Sequence, residues 1–525
     1  MEVIVKFNDS LKDIAVEDLG QGFGIVNVEP DNVSSLYSLP GIENVELPKD
    51  VYINSGSAFV SSCIPSVQAQ EPFGLSGRGT IVGVIDTGID YTHPAFRTPD
   101  GDTRILFFWD QRTEGSPPEG FSQGTEYHFL QLNAALAASQ PFRQIPPLDI
   151  NGHGTAVAGI AAGGGEYTGA APEASIIAVR VGQADNDFAR STELMRGIRY
   201  VISKARMMAM PAAINLSFGM NEGSHKGDSL FEEYIAAVSS EWKISIVIPT
   251  GNEGGAGHHY SGSIKTGELQ DIAFFTAAGI EKVYLSLWKN FTDTISAELI
   301  LPSGSSTGII FPDSSPIQYR FNDITVTMIY GQPTVYSVSQ EVYIDIRADK
   351  EFIPPGLWHL RLRGISIVDG SFDIWLPTVE QVTAGTYFSR PDNNNTLTIP
   401  STARKIIRTA GYNDRLGNVA EFSGTGELFP DIAAPAVNII APAAGGGYDS
   451  FTGTSFAAPF VTGSAALMME WGIVRQNSPF LYGERLKAYL RLGAKRSREM
   501  VYPNPFTGYG LLCTYSSISR LRAFS

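Results

Sequence analysis

The segment Phe451-Thr-Gly-Thr-Ser-Phe-Ala-Ala-Pro459 constrains the fold of this chain most strongly. An apolar run at helical spacing, 460–469, follows it and predicts a buried helix. A glycine-punctuated approach ends at Gly453, so Ser455 is expected in the first turn of that helix. The free N–H groups and the macrodipole at this end of a helix favour negative charge. The turn therefore suits a serine nucleophile, which generates an oxyanion, although a serine that merely caps a helix gives the same local pattern.

A second constraint comes from a short apolar run between glycines, Ile81–Ile85, which ends at Asp86. Such a run is typical of a strand buried on both faces of a parallel sheet. An acid at the carboxyl end of a central strand lies where open α/β sheets place their chemistry, although loop residues and helix caps occur there too. Further buried strands and one helix-patterned stretch indicate the same α/β class: strands at 175–181, 213–217 and 244–249, and a helix at 192–208.

Two more polar residues stand between glycines. His153 lies in Asn151-Gly-His-Gly-Thr155, where the flanking glycines leave its ring accessible and let a helix begin tightly. Asn252 lies in Thr250-Gly-Asn-Glu-Gly254, directly after a predicted strand, and by itself would be an ordinary turn asparagine. The two motifs therefore gain meaning only in combination with the others.

Length and charge narrow the class of protein and of partner. The 525 residues exceed one typical domain, and the net charge of −16 argues against nucleic acid or an anionic membrane as a partner. The start of the chain does not have the pattern of a signal peptide, and no run of about 20 apolar residues predicts a membrane span. We therefore expect a cytoplasmic protein, or one delivered by a route that the sequence does not show. The two cysteines, Cys63 and Cys513, could form one bridge, but unpaired thiols are expected.

The remaining stretches differ in composition and predicted secondary structure, and they divide the chain into four parts. Residues 1–54 predict a small α+β unit, with strands at 3–7, 23–28 and 42–47 and a short helix through Leu36. The stretch 55–79 is rich in Ser, Gly, Pro and Gln and predicts a linker. Alternating strands between 265 and 394 predict an inserted antiparallel sandwich or jelly roll. The α/β part is thereby divided into 55–264 and 395–525.

The four glycine-framed residues are the types that acyl transfer requires. Histidine titrates near neutrality and can take the proton of a serine hydroxyl, and a carboxylate can hold the imidazole in the required tautomer. A side-chain amide can donate to the oxyanion, and such a contact is worth about 3–4 kcal/mol.

On these residues the chain resembles the subtilisin-like serine proteases, the subtilases. The segments 85–90, 151–159 and 453–459 match the family's Asp, His and Ser motifs, and 250–254 matches its oxyanion segment. The order Asp, His, Ser is also that of subtilisin. The resemblance implies a subtilisin-like parallel sheet flanked by helices and a serine endopeptidase. No cofactor is expected, and no metal site is predicted because no acidic stretch has the spacing of a calcium loop.

The same resemblance implies a role for each matched residue. Ser455 is the nucleophile, His153 the general base and Asp86 the residue that orients it. Asn252, with the Ser455 backbone N–H, forms the oxyanion hole. The substrate-binding positions are Ser217, Phe218, Gly219 and Gly251.

Departures from a minimal subtilase are also informative. The long interval between Asn252 and Ser455 contains the β-rich insertion. The surplus residues near 121–146 are expected to form a surface loop. Phe456 replaces the methionine that usually follows the serine, and no effect on the chemistry is expected.

The insertion, the short N-terminal unit and the sequence of residues 89–111 resemble those of the Csp-type germination proteases of spore-forming clostridia. That resemblance implies a prodomain cut autocatalytically near Asn54 and Ser55 and retained in the substrate groove. It also implies a protein substrate, a spore cortex-lytic zymogen. Two alternatives remain open: a regulatory pseudoenzyme inhibited by its prodomain, and a general intracellular protease.

Overall fold

The computed structural model describes residues 2–8, 11, 14–29, 32–46, 57–69, 73–182 and 189–524. The chain divides into two compact units, 1–55 and 56–525. The predicted cleavage positions, Asn54 and Ser55, lie outside the described residues.

The first unit is a four-stranded antiparallel sheet with one short helix. Its elements are β1 Glu2–Phe7, β2 Glu17–Gly20, β3 Phe23–Asn27, α1 Val33–Leu36 and β4 Ile42–Glu46. The strand order is β2-β3-β1-β4, and among the described residues the buried core consists of Val3, Val5, Val26, Leu36 and Val45. Strand β2 was not predicted because an edge strand held by backbone pairing needs no apolar alternation.

The second unit contains all the other elements. Its strands are β5 Ile81–Asp86, β6 Ile105–Asp110, β7 Thr125–His128, β8 Ser175–Arg180, β9 Ala212–Leu216, β10 Ile244–Pro249, β11 His259–Ser263, β12 Leu269–Thr276, β13 Lys282–Asn290, β14 Thr294–Ile300, β15 Ile317–Phe321, β16 Ile324–Tyr330, β17 Ser339–Ala348, β18 Gly356–Ser366, β19 Ser371–Trp375, β20 Tyr387–Phe388, β21 Ile407–Asn413, β22 Asn418–Val419, β23 Ile432–Pro435, β24 Ile439–Pro442 and β25 Tyr448–Phe451. Its helices are α2 Ser57–Ser61, α3 Pro65–Gln68, α4 Phe129–Ala137, α5 His153–Ala162, α6 Ser191–Met207, α7 Leu230–Val238, α8 Thr454–Met469, α9 Gly483–Gly493 and α10 Thr514–Phe524.

A mixed, mainly parallel sheet forms the centre of this unit. Its order is β22-β21-β10-β9-β5-β8-β6-β7, with β23 beside β21, and only the edge strands β22 and β7 pair antiparallel. Helices cover both faces because alternate residues of each strand point to opposite sides. Val82 and Val84 pack in the cluster that contains α5 and α8, whereas Ile81 and Ile85 pack with α6 and α7. The predicted α/β fold class is confirmed.

The β-rich stretch forms a two-sheet antiparallel sandwich. One sheet has the order β11-β19-β13-β17-β16-β15 and the other β14-β18-β12-β20. Between them lies an apolar core that includes Phe274, Trp358 and Phe388, each fully buried. The predicted strands are present, and β11 and the two-residue β20 are strands that were not predicted.

Three expectations about the second unit were wrong. The predicted linker contains α2 and α3. Ile64, just before α3, and Val67, within it, are fully buried in the main core. The predicted surface loop at 121–146 contains β7 and α4, with Leu132 buried. In both places a few apolar residues are buried among many polar ones, so the average composition hides them.

The third correction concerns the cysteines. Cys63 and Cys513 form a disulfide, with Cα atoms 4.8 Å apart. It joins residues 450 positions apart in the sequence. No local pattern indicates such a pairing, because it depends on α10 returning to the α2–α3 segment.

Candidate active site

Three of the predicted site segments lie at one edge of the central sheet. Asp86 is the last residue of β5, Ser217 follows β9, and Asn252 follows β10. These strands are adjacent and parallel, in the order β10-β9-β5. Their carboxyl ends therefore meet at the edge where α/β sheets place ligands.

Asp86 and His153 form a direct ion pair. The His153 Nδ1–H donates to Asp86 Oδ1 at 2.6 Å, and the backbone N–H of Thr87 donates to the same oxygen at 2.8 Å. The Asp86 side chain is fully buried, whereas 27% of the His153 side chain is exposed. The carboxylate thus holds the imidazole in one tautomer while the far side of the ring remains accessible.

The surroundings of His153 alter its basicity. Burial lowers the pKa of His153, but the charge and hydrogen bond of Asp86 outweigh it, with further contributions from Asp149 and Glu380. The net result is a pKa raised above the ordinary value of 6.5. The imidazole therefore binds a proton more firmly than a free histidine does.

Two glycines allow the Asp and His segments to approach each other. A Cβ on Gly154 would collide with the carbonyl of Gly88, and a Cβ on Gly88 would collide with the carbonyl of Leu148. Gly88 also has a φ of +126°. The glycine framing seen in the sequence is therefore a packing requirement of this contact.

Asp149, which the sequence reading did not identify, joins the two segments. Its Oδ1 accepts from the Thr87 hydroxyl and the Gly152 N–H, both at 3.0 Å. Its Oδ2 accepts from the N–H and hydroxyl of Thr155 at 2.9 and 2.6 Å. A carboxylate here accepts hydrogen bonds from N–H groups at the start of α5, and its negative charge interacts favourably with the helix macrodipole.

Ser455 is the second residue of α8, as predicted, and is partly buried. Pro459 lies four residues further and has no N–H, so the Ser455 carbonyl lacks its usual helical donor. The hydroxyl of Ser217 donates to that carbonyl at 3.3 Å. Asn215 donates in turn to Ser217 at 2.7 Å and accepts from Thr462 of α8 at 2.9 Å. The start of α8 is therefore held to the end of β9.

Asn252 contacts the first residue of α8. Its Oδ1 accepts from the N–H and the hydroxyl of Thr454, both at 3.1 Å. Its Nδ2 donates to the Glu380 carboxylate at 3.1 Å. Asn252 is therefore held against the start of α8, and its predicted oxyanion donor is bonded to an acid that no motif indicated.

Within the described ranges, no hydrogen bond joins the Ser455 hydroxyl to the imidazole of His153. The ring of Phe456, the next residue, has its centroid 5.2 Å from that of His153. Catalytic hydrogen bonds are often long in unliganded enzymes and shorten when substrate binds.

The predicted substrate-binding residues belong to two segments, one after β9 and one after the adjacent strand β10. The Ser217 side chain points towards α8, and Phe218 packs partly against the core. Thr398 fills the space between Gly219 and Gly251. A Cβ on Gly219 would lie 2.6 Å from its hydroxyl, and one on Gly251, whose φ is +89°, would collide with it. The substrate-binding role of these residues stays a prediction. No motif indicated Thr398, the residue that packs against both glycines.

Glu253 forms a second unpredicted network next to Asn252. It is 2% exposed, and its Oε2 accepts from His258 Nδ1 at 2.7 Å and Asn221 Nδ2 at 3.1 Å. Its Oε1 accepts from the Val379 N–H at 2.9 Å. The residue after Asn252 thus binds the segment that follows β19.

The remaining features considered at the site are clusters of metal-ligating side chains and the long apolar helix that carries Ser455. In the part of the chain that the structure describes, no group of three or more His, Cys, Asp or Glu side chains is placed to hold a metal ion. That part contains one helix, α8 with its continuation to residue 474, that has the length and apolar composition of a membrane span. Of its most apolar 18-residue stretch, 94% is buried inside the fold. A core helix has the same properties.

Comparison with known proteins agrees with the motifs. The subtilase family model matches residues 77–299 and 382–510, and the Csp protease B prodomain model matches 1–49. The solved structure of the Clostridium perfringens CspB protease is similar, with 37% identity and a TM-score of 0.81 over 89% of this chain and 97% of that chain.

More distant relatives are longer proteins. A PII-type proteinase of Lacticaseibacillus paracasei is 24% identical over 90% of this chain, and a C5a peptidase of Streptococcus pyogenes is 23% identical over 75%. The chain spans 27% and 35% of their lengths. The predicted resemblance is confirmed, because one family model covers most of the second unit and another covers the first. The chain belongs to the subtilase family of serine peptidases and carries a Csp protease B prodomain.

Proposed function

We propose that the chain is an active serine endopeptidase in which Ser455, His153 and Asp86 form the catalytic triad. The observation that carries the proposal is the 2.6 Å bond from His153 to the buried Asp86 carboxylate at the sheet edge that also holds Asn252. A tightly oriented, partly exposed imidazole in this setting is suited to act as a general base.

The proposed reaction proceeds through an acyl-enzyme. His153 takes the proton of the Ser455 hydroxyl as its oxygen bonds to the carbonyl carbon of the peptide. Asn252 Nδ2 and the Ser455 backbone N–H bind the resulting oxyanion. His153 gives its proton to the leaving amine as the C–N bond breaks, and water then releases the acyl group by the same steps in reverse order.

A fluorophosphonate probe tests this proposal directly. The folded protein is expected to be labelled at Ser455, and the Ser455→Ala variant is expected not to react. A folded, processed protein that does not react would favour the alternative of a regulatory pseudoenzyme.

The proposal includes self-processing near Asn54 and Ser55, with the prodomain retained in the substrate groove. It is supported by the match of residues 1–49 to a protease prodomain and by the small core of the first unit. Intact-mass spectrometry is expected to show two fragments for the wild type and one uncut chain for Ser455→Ala. Cleavage of that variant at the same position would contradict self-processing.

The proposed physiological substrate is the zymogen of a spore cortex-lytic hydrolase, which would make the chain a germination protease of the cytoplasm or the spore. Its support is the similarity to the Clostridium perfringens CspB protease. Incubation of purified zymogen with the wild type is expected to yield the processed hydrolase, and Ser455→Ala is expected to leave it intact. An unprocessed zymogen in both reactions would favour a general intracellular protease instead.

A further inference from the structure

The turn of residues 378–382, here called the Glu380 turn, lies where the chain leaves β19 of the sandwich. Its Val379 N–H donates to Glu253 at 2.9 Å, and its Glu380 carboxylate accepts from Asn252 Nδ2 at 3.1 Å. Two consecutive residues of the turn thus contact the two consecutive residues that follow Gly251. The turn therefore lies against the predicted oxyanion donor.

The backbone of the Glu380 turn is held at several points. The Gln381 N–H donates to the Thr378 carbonyl at 2.9 Å, and Val382 is only 8% exposed in the sandwich core. Just before the turn, the Leu376 carbonyl accepts from Asn221 at 3.0 Å. Because the backbone is held, the exposed Glu380 side chain is presented beside Asn252 and not elsewhere on the surface.

The Glu380 carboxylate has no cationic partner of its own. Among the described residues, no Lys, Arg or His forms an ion pair with it, and its one hydrogen bond is from Asn252. Its charge also contributes to the field at His153, so it lies within electrostatic reach of the triad. A peptide bound here would displace water from the carboxylate, and an unpaired charge that loses water is costly.

A substrate must also take Asn252 Nδ2 for its own oxyanion. Glu380 then loses its hydrogen-bond donor at the moment when the site becomes drier. A basic side chain of the substrate can replace that donor with a charge-assisted bond, whereas an acidic side chain repels the carboxylate. The identity of the residues near the scissile bond thus decides how easily the oxyanion donor is released.

We propose that Glu380 is a specificity-determining residue that selects protein substrates with a Lys or Arg within two positions of the scissile bond. This inference rests on the proposed peptidase function. It assigns to the sandwich, through the Glu380 turn, a part in substrate selection.

The test uses the full-length protein and a peptide library whose cleaved bonds are identified by mass spectrometry. Matched peptides that differ in one residue, Lys, Gln or Glu, on either side of the cleaved bond then give kcat/KM. The wild type is expected to prefer the Lys peptide over the Glu peptide by about tenfold, the range of a partly desolvated ion pair. The two series, one for each side of the bond, show which substrate position contacts Glu380.

Two variants separate selection from simple obstruction. Glu380→Gln keeps the size of the side chain and is expected to abolish the preference, and Glu380→Lys is expected to reverse it. Glu351→Gln, an exposed acid in the turn between β17 and β18, removes the same charge and is expected to leave the preference unchanged. A uniform rise of kcat/KM on all peptides in Glu380→Gln would overturn the proposal, because the carboxylate would then only compete for Asn252.

Fluorophosphonate labelling distinguishes failure of this inference from failure of the proposed function. A wild type that is labelled and cleaves peptides without any basic preference would overturn the role of Glu380 alone. A wild type that is neither labelled nor cleaves any peptide would overturn both.

Discussion

At the scale of single residues, the imidazole of His153 is influenced by three carboxylates, those of Asp86, Asp149 and Glu380. Each favours the protonated ring and opposes the effect of burial, which favours the neutral ring. A protonated imidazole cannot accept the serine proton. The charge around His153 therefore decides the pH at which the proposed enzyme begins to work.

The acid limb of the pH profile is accordingly expected to have a midpoint above 6.5. Activity should fall as the pH drops through this raised pKa, because His153 then carries a proton. Glu380→Gln should lower the midpoint, since one of the carboxylates that raise the pKa is removed. The profile of kcat/KM against pH measures both. Glu351→Gln serves as the control, and a midpoint at or below the ordinary value would contradict the account.

Thr454 affects catalysis through the orientation of Asn252. Thr454→Val removes one of the two donors that hold Asn252 Oδ1, so the amide can rotate away from the oxyanion. We expect kcat to fall by about tenfold with KM little changed, against about 10²–10³-fold for Asn252→Ala. Steady-state kinetics on one peptide measures all three enzymes. Equal losses in both variants would mean that Thr454→Val disrupts more than orientation.

At the scale of elements, Pro459 and Ser217 form a complementary pair between α8 and β9. The proline removes the helical N–H that would bond the Ser455 carbonyl, and the Ser217 hydroxyl supplies a donor instead. This exchange joins the nucleophile segment to the sheet. It explains why a proline is accommodated within an otherwise regular buried helix.

Ser217→Ala should therefore destabilise the second unit by about 1–3 kcal/mol, because the partly buried Ser455 carbonyl and the buried Asn215 each lose a partner. In the Pro459→Ala background the cost should be smaller, since residue 459 then has an N–H that can bond the Ser455 carbonyl. Chemical denaturation of the four proteins of this double-mutant cycle measures the coupling. Additive effects of the two substitutions would contradict it, and the exposed Ser314→Ala is the control for removing a hydroxyl.

At the scale of the whole molecule, the Cys63–Cys513 disulfide closes most of the second unit into one loop. A cross-link over so many residues restricts the unfolded chain strongly, so replacing both cysteines by serine should cost about 2–5 kcal/mol of stability. Thermal unfolding of the second unit, with and without reductant, measures this cost. Reductant should lower the Tm of the wild type and leave the double variant unchanged.

Titration of thiols in the denatured, unreduced protein tests the pairing itself. No free thiol is expected from either cysteine. Two free thiols per chain would contradict the disulfide and would restore the prediction made from the cysteine count.

The sequence by itself determined the fold class, the order of the site segments and the four candidate site residues, Asp86, His153, Asn252 and Ser455, whose catalytic roles stay predictions. These features are encoded locally, since strand ends, helix starts and close backbone approaches each require particular residues at short spacing. Only the tertiary structure decided that Cys63 meets Cys513 and that Glu380 reaches Asn252. Such contacts join residues far apart in the chain, and their side chains carry no pattern until folding places them together. The candidate site residues could therefore be predicted from motifs, whereas the contacts that orient these residues and shift the pKa of His153 could not.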